Sequence, residues 1–180
     1  MKTKLIVGLW NPWDKYESTR HNIWFKIIDL IANYSEWTPF MFDKKFNGDI
    51  SIAKHEKYML IFVKPQTFMN LSWDCVSKVL NYYKIEAENM LVIHDEIDLD
   101  PEVVKLKWNG GDNGHNGLKD ITRKCGTNKY WKLKMGVGRP QEKSQVVNFV
   151  LWKLEKGTWE NFLKQEEMIY EYVRQFLVNN

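Results

Sequence analysis

Three short apolar runs set the terms on which this chain can fold. Residues 4–9 (KLIVGL), 58–64 (YMLIFVK) and 90–95 (MLVIHD) are rich in branched side chains and interrupted by almost no charge. Runs of that length, apolar on both faces, predict strands buried on both sides of a sheet. Helical periodicity follows two of them. Thr19 is a candidate N-cap ahead of Trp24, Ile27, Ile28 and Ile31, and Ser72 a candidate N-cap ahead of Val76, Val79, Leu80 and Tyr83. Strands alternating with helices predict a single α/β domain over residues 1–180, built on a mixed, largely parallel twisted sheet flanked by helices.

The second half of the chain extends that pattern. The segment EVVKLKWNGGDNGHNGLKDI reads as a strand, a glycine-rich loop and a helix. Residues 132–138 (KLKMGVG) read as a further strand, with Lys132 and Lys134 alternating with apolar neighbours. Residues 159–178 carry Phe162, Ile169, Val173 and Phe176 on one stripe and predict one terminal amphipathic helix. No apolar run approaches the roughly 20 residues of a membrane span. The amino end opens directly on strand-like sequence, so no signal peptide is expected. Cys75 and Cys125 form neither a metal-ligand pair nor a disulfide framework, and a reducing, cytoplasmic compartment is the expectation.

The uncommon polar residues fall where strands end. Asn11 follows the first run, Asn70 the second and Asp95 closes the third, while His115 and Asn116 follow the glycine loop. In open α/β sheets ligands gather at the carboxyl ends of strands. Familiar chemistries are absent from the sequence: there is no G-x-S-x-G elbow, no P-loop, no G-x-G-x-x-G after the first strand and no H-E-x-x-H. What remains is a site without metal or cofactor, in which His21 is the base and Asp95 holds its ring. Asn11, Asn70 and Asn116 supply neutral hydrogen-bond donors. The competing reading makes His21 a cap or packing residue and each asparagine a turn former. Charge adds a second constraint. Residues 101–134 hold eight basic and three acidic side chains, against eighteen and twenty in the remainder, a local surplus suited to a polyanion.

Taken together, KLIVGLWNPWDKYESTRHNIWF, VKPQTFMNLS, VIHDEIDLDP, GGDNGHNGLKDI and KLKMGVGRP resemble the bacterial-type peptidyl-tRNA hydrolase family, in that family's order and spacing and over most of the chain. The resemblance implies a single α/β domain that cleaves the ester between a peptide and the 3′ ribose of tRNA, with no metal and no cofactor. It implies that His21 is the base, assisted by Asp95, and that Asn11, Asn70 and Asn116 bind substrate. Tyr16 matches a tyrosine near the tRNA 3′ end, and Phe68 and Met69 match walls of the peptide channel. His115 is a possible supporting residue. Lys107 and Lys134 match the basic pair that holds the tRNA 5′ phosphate, Lys134 standing where arginine is usual, so that a fork becomes a point charge. The implied partner is the acceptor stem and 3′ end of peptidyl-tRNA, with no membrane and no obligate protein partner. The implied setting is translation and ribosome rescue, by a cytoplasmic monomer. Two alternatives are a non-catalytic binder of structured RNA, which has no need of His21 with Asp95, and a small-ester esterase, which has no need of the lysine pair.

Tryptophan is where the chain departs from the family pattern. Trp10, Trp13, Trp24, Trp73 and Trp152 stand where the family has glycine (Trp10 least firmly, since alanine also occurs there), and the chain holds nine tryptophans in all. Glycine positions in such turns are expected to need positive φ or close backbone approach. A gene whose UGA codons mean glycine, translated with UGA as tryptophan, predicts this one-directional pattern. UGG codons at Trp13, Trp24, Trp73 and Trp152 would exclude it.

Overall fold

The computed structural model describes residues 1–9, 19, 23–34, 37–153 and 157–179. Seven strands form one sheet: β1 (Lys2–Gly8), β2 (Met41–Asp43), β3 (Gly48–Lys54), β4 (Tyr58–Pro65), β5 (Met90–Glu96), β6 (Val104–Trp108) and β7 (Trp131–Gly136). Their order is β2-β3-β4-β1-β5-β7-β6. The predicted mixed sheet is therefore present. β1 runs parallel to both β4 and β5, and β5 parallel to β7, while β2, β3 and β6 join antiparallel at the two edges.

The central strands are apolar all along because both faces are covered. On one face Ile6, Phe62, Leu91 and Ile93 pack with Ile27, Ile28 and Ile31 of α1 (Ile23–Asn33). On the other, Leu5, Val7, Ile61 and Val92 pack with Val76 and Val79 of α2 (Ser72–Tyr83) and with Leu118 and Ile121 of α3 (Asn116–Cys125). The chain continues through α4 (Val146–Val150), α5 (Thr158–Leu163) and α6 (Glu166–Val178).

Two local expectations are corrected. Ser72 is the first residue of α2 rather than its cap, and its hydroxyl donates back to the Met69 carbonyl at 2.7 Å, closing the 3-10 turn Met69–Leu71. Thr19 is buried in an isolated antiparallel bridge to Lys153, and the residues between it and α1 lie outside the described ones. The single terminal helix is two, broken at Lys164–Gln165, where the Gln165 amide donates to the Glu102 carbonyl at 2.6 Å. The strands β2 and β3 had no counterpart in the sequence reading.

At the end of the sheet opposite the strand carboxyl termini, Lys4 is fully buried. Its ammonium donates to the Phe176 carbonyl in the last turn of α6 at 2.8 Å and lies 4.6 Å from the Phe176 ring centre.

Candidate active site

The parallel strands β1, β4, β5 and β7 end on one rim of the sheet, and β1 sits where the strand order reverses, the usual place for a ligand crevice. Of the candidate residues, Asn11, Tyr16 and His21 lie outside the described residues, as do Trp10 and Trp13. Of the others, Lys107 faces Lys132 near the opposite end of β7, and the rest are carried by segments at this rim. Asp95 comes from the end of β5, Phe68, Met69 and Asn70 from the turn after β4, and His115 and Asn116 from the start of α3.

Asp95 is buried and held from two sides. His94, one residue earlier, donates from Nδ1 to the Asp95 backbone carbonyl at 2.7 Å. Burial, then the neighbouring His115, pushes the His94 imidazole well below its ordinary pKa, so the ring is neutral. Its Nε2 is buried without a partner among the described residues. His115 meets the carboxylate itself, with Nε2 3.1 Å from Asp95 Oδ1. Its other nitrogen, Nδ1, accepts the Leu118 amide at 3.3 Å and caps α3. Accepting at Nδ1 puts the ring proton on Nε2, where it is donated to Asp95. One imidazole thus fixes both a helix start and a carboxylate.

The glycine loop, residues 109–115, is built for this approach. Asn109, Gly110, Asn113 and Gly114 all have positive φ, a conformation glycine and asparagine reach at least cost. The loop turns sharply enough for Asn113 Nδ2 to donate to Glu96 Oε2 at 2.8 Å. Glu96 was not anticipated as part of the site, although the run His-Asp-Glu at a strand end hinted at it. Its buried carboxylate also takes Lys134 Nζ at 2.6 Å and the Asp98 amide at 3.2 Å.

The two lysines of the expected phosphate site differ. Lys107, on the edge strand β6, is exposed, and it has no carboxylate partner among the described residues. Lys134 has a side chain only 9 % exposed and is spent on Glu96. Lys134 stands opposite Lys105, and Lys107 opposite Lys132, so four lysines crowd one face of the β6–β7 pair.

Two depressions meet at the rim. A cavity of about 200 Å³ is walled by Met69, Ile97, Val146, Val150 and Leu151 on its apolar side and by Asp95, Glu96, Asn113, His115 and Asn116 on its polar side. The apolar wall from α4 was not legible in the sequence. An open groove starts from Asn70 and Asn116 and follows α3 past Lys119, Thr122 and Arg123. Asn116 lines both, and the adjacent residues Met69 and Asn70 divide between them. Among the described residues no group of three or more His, Cys, Asp or Glu side chains is arranged to hold a metal ion.

Residues 5–179 match the family model described as peptidyl-tRNA hydrolase. The chain belongs to the peptidyl-tRNA hydrolase family. The peptidyl-tRNA hydrolase of Nitrosomonas europaea is 46% identical over 154 residues, covering 84% of this chain and 77% of that protein. That of Rickettsia bellii is 44% identical over 176 residues, covering 98% and 90%. The crystal structure of peptidyl-tRNA hydrolase from Acinetobacter baumannii superposes with a TM-score of 0.86 at 32% identity, covering 97% of this chain and 92% of that one. The sequence resemblance, the α/β fold and membership of a hydrolase family therefore agree.

Proposed function

We propose that this chain hydrolyses the ester joining a peptide to the 3′ ribose of tRNA, and that the ester lies where the cavity and the groove meet. The observation that carries the reading is the shared lining residue Asn116, with an apolar cavity on one side and a groove leading to Lys119 and Arg123 on the other. A peptide fits the first. In the second, Asp112 and Asp120 are taken up by Thr122 and by Lys124 with the Trp73 amide, which leaves Lys119 and Arg123 for a polyanion. The bond between peptide and polyanion falls beside Asp95.

In this reading His21 takes a proton from a water whose oxygen attacks the ester carbonyl carbon. Asp95, steadied by His94 and His115, supports the imidazolium that forms. Asn11, Asn70 and Asn116 donate to the substrate and to the developing oxyanion. The carbon–oxygen bond to ribose then breaks, and the ribose oxygen recovers the proton. Tyr16 flanks the 3′ end, and Phe68 and Met69 wall the peptide side. No metal or cofactor enters the steps. Lys107 makes the direct contact to the 5′ phosphate. Lys134 reaches that phosphate only by exchanging Glu96 for it, so its part is to sustain the local positive field. The protein acts as one domain, as a monomer in the cytoplasm, on substrates left by stalled translation.

Hydrolysis of an N-acyl-aminoacyl-tRNA, set beside binding of uncharged tRNA and turnover of a small acyl ester, tests the reading. Turnover of the tRNA ester at least about 100-fold above the small ester is expected. Binding without turnover would leave a structured-RNA binder, and equal turnover of both esters would leave a general esterase.

A further inference from the structure

Lys132 is a buried cation that the proposed chemistry does not use. Its side chain is fully buried on β7, with Nζ donating to the Gly110 carbonyl at 3.2 Å and lying 4.0 Å from the Tyr130 ring centre. Three charged groups bear on it: Asp112 of the glycine loop favours the ammonium, and Lys134 and Lys107 oppose it. Lys107 stands directly opposite on β6. The Lys107 side chain also lies against Gly110, for a Cβ there would sit 2.9 Å from its Cε and 3.1 Å from its Nζ. Gly110 is therefore gripped by two lysines that repel each other.

The other end of the same loop holds the site. Asn113 donates to Glu96 and His115 to Asp95, and the His115 amide donates to the Asp112 carbonyl at 2.8 Å. Asp112 is tied down in turn, its Oδ1 accepting the Thr122 hydroxyl at 2.8 Å. Four of its residues are held at positive φ, a conformation that persists only where the contacts around it impose it, so the loop's shape depends on what grips its two ends.

We propose that Lys132 is a positioning residue that couples phosphate capture at Lys107 to the arrangement of Asp95. This rests on the reading of Lys107 as a phosphate contact. A phosphate dianion at Lys107 screens the Lys107–Lys132 repulsion and strengthens the Lys132 bond to Gly110. The loop is then drawn tight at its first residues, and His115 and Asn113 are held on Asp95 and Glu96. Binding at the nucleic-acid end raises turnover at the ester, not affinity alone.

The test is a kinetic cycle on peptidyl-tRNA with and without its 5′ phosphate, in the parent, Lys132→Met and Lys132→Arg. Removing the phosphate from the parent's substrate is expected to raise KM and to lower kcat by about fivefold or more, the lower end of ordinary coupling between sites. Lys132→Met, which keeps the buried stem, should show one low kcat for both substrates while still distinguishing them in KM. Lys132→Arg should recover the kcat difference at least in part. A parent whose KM ignores the phosphate would remove the phosphate reading and the coupling together. A parent whose KM responds while kcat does not would overturn the coupling alone. So would a Lys132→Met enzyme whose kcat falls equally on both substrates, since that is the mark of a merely structural lysine. Should Lys132→Met fail to fold, the kcat of the parent on the two substrates still decides.

Discussion

A buried carboxylate held by a histidine has a narrow set of uses. Asp95 gains its position from His94 through the backbone and from His115 through the side chain, while His21 faces the chemistry in the proposed mechanism. His21→Ala is expected to leave tRNA binding nearly intact and to reduce kcat by at least about 100-fold, as loss of a general base does. Asp95→Asn should lose less in the same direction. A His21→Ala enzyme within threefold of the parent would remove the base from the mechanism. Lys4 makes a different residue-scale prediction. Burial, with a smaller contribution from Lys2, lowers its pKa to about 8 from 10.5. Between those values the unfolded chain binds more protons than the folded one, so the contribution of Lys4 to stability rises as pH increases from about 8 to 10.5. The unfolding midpoint of the parent minus that of Lys4→Met should therefore grow between pH 7 and pH 10, by something on the order of 5 °C. A difference independent of pH would show that Lys4 titrates normally.

Among elements, glycine decides how closely the active rim can pack. A Cβ on Gly117 of α3 would meet Met69 Sδ at 2.7 Å, Leu9 Cδ1 at 2.9 Å and His115 Cε1 at 3.1 Å, all side-chain atoms. Alanine there gains about 1 kcal/mol of helix propensity and displaces the proposed channel wall. Gly117→Ala should thus keep its midpoint within a few degrees while raising KM for peptidyl-tRNA. Gly136 has no such latitude, since its Cβ would stand 1.9 Å from the Asp100 carbonyl oxygen. Gly136→Ala should cost about 3 kcal/mol or more, read as a lower denaturant midpoint. An unchanged midpoint would mean that the 98–101 turn yields freely. Element by element, the sequence was legible where burial acts alone. β1, β4 and β5 are apolar on both faces and declare themselves. β3 was missed because Asp49 and Ser51 interrupt it, and Ser51 is tolerated in the interior only because its hydroxyl finds the Thr38 carbonyl at 2.6 Å. Lys132 and Lys134 alternate as a solvent-facing set would, yet both are buried by a loop and a carboxylate that arrive from other parts of the chain. The α5–α6 break depends on Gln165 bonding to Glu102, a contact no local pattern records.

At the scale of the molecule, charge and tryptophan each carry an expectation. Lys107→Ala should raise KM for peptidyl-tRNA more than it lowers kcat, with the effect shrinking as salt rises, because phosphate contacts release counterions. An equal penalty on substrate lacking the 5′ phosphate would make the lysine structural. The tryptophans divide. Trp73 lies in α2, half-buried against the core, with its backbone amide on Asp120 Oδ2 at 2.9 Å, and Trp152 is 53 % exposed beside Phe149. Neither is at positive φ, so that one reason for glycine does not apply at these two positions. Trp73→Gly should then lower stability by about 1 kcal/mol or more through lost packing and helix propensity. Replacing Trp13, Trp24, Trp73 and Trp152 together by glycine should raise hydrolysis on the misread-codon account, Trp13 and Trp24 being the two of the four nearest His21 in sequence. A fourfold variant less stable and no more active than the parent would end the misread-codon account. The Lys4–Phe176 contact has a consequence in time as well as in space. It joins residues 172 positions apart, so it closes only after Phe176 has been added and has cleared the ribosome. During synthesis this protein is itself a peptide on a tRNA, the kind of ester it is proposed to cut. Until Phe176 is added, a growing copy therefore has the ester in place and this contact still to form.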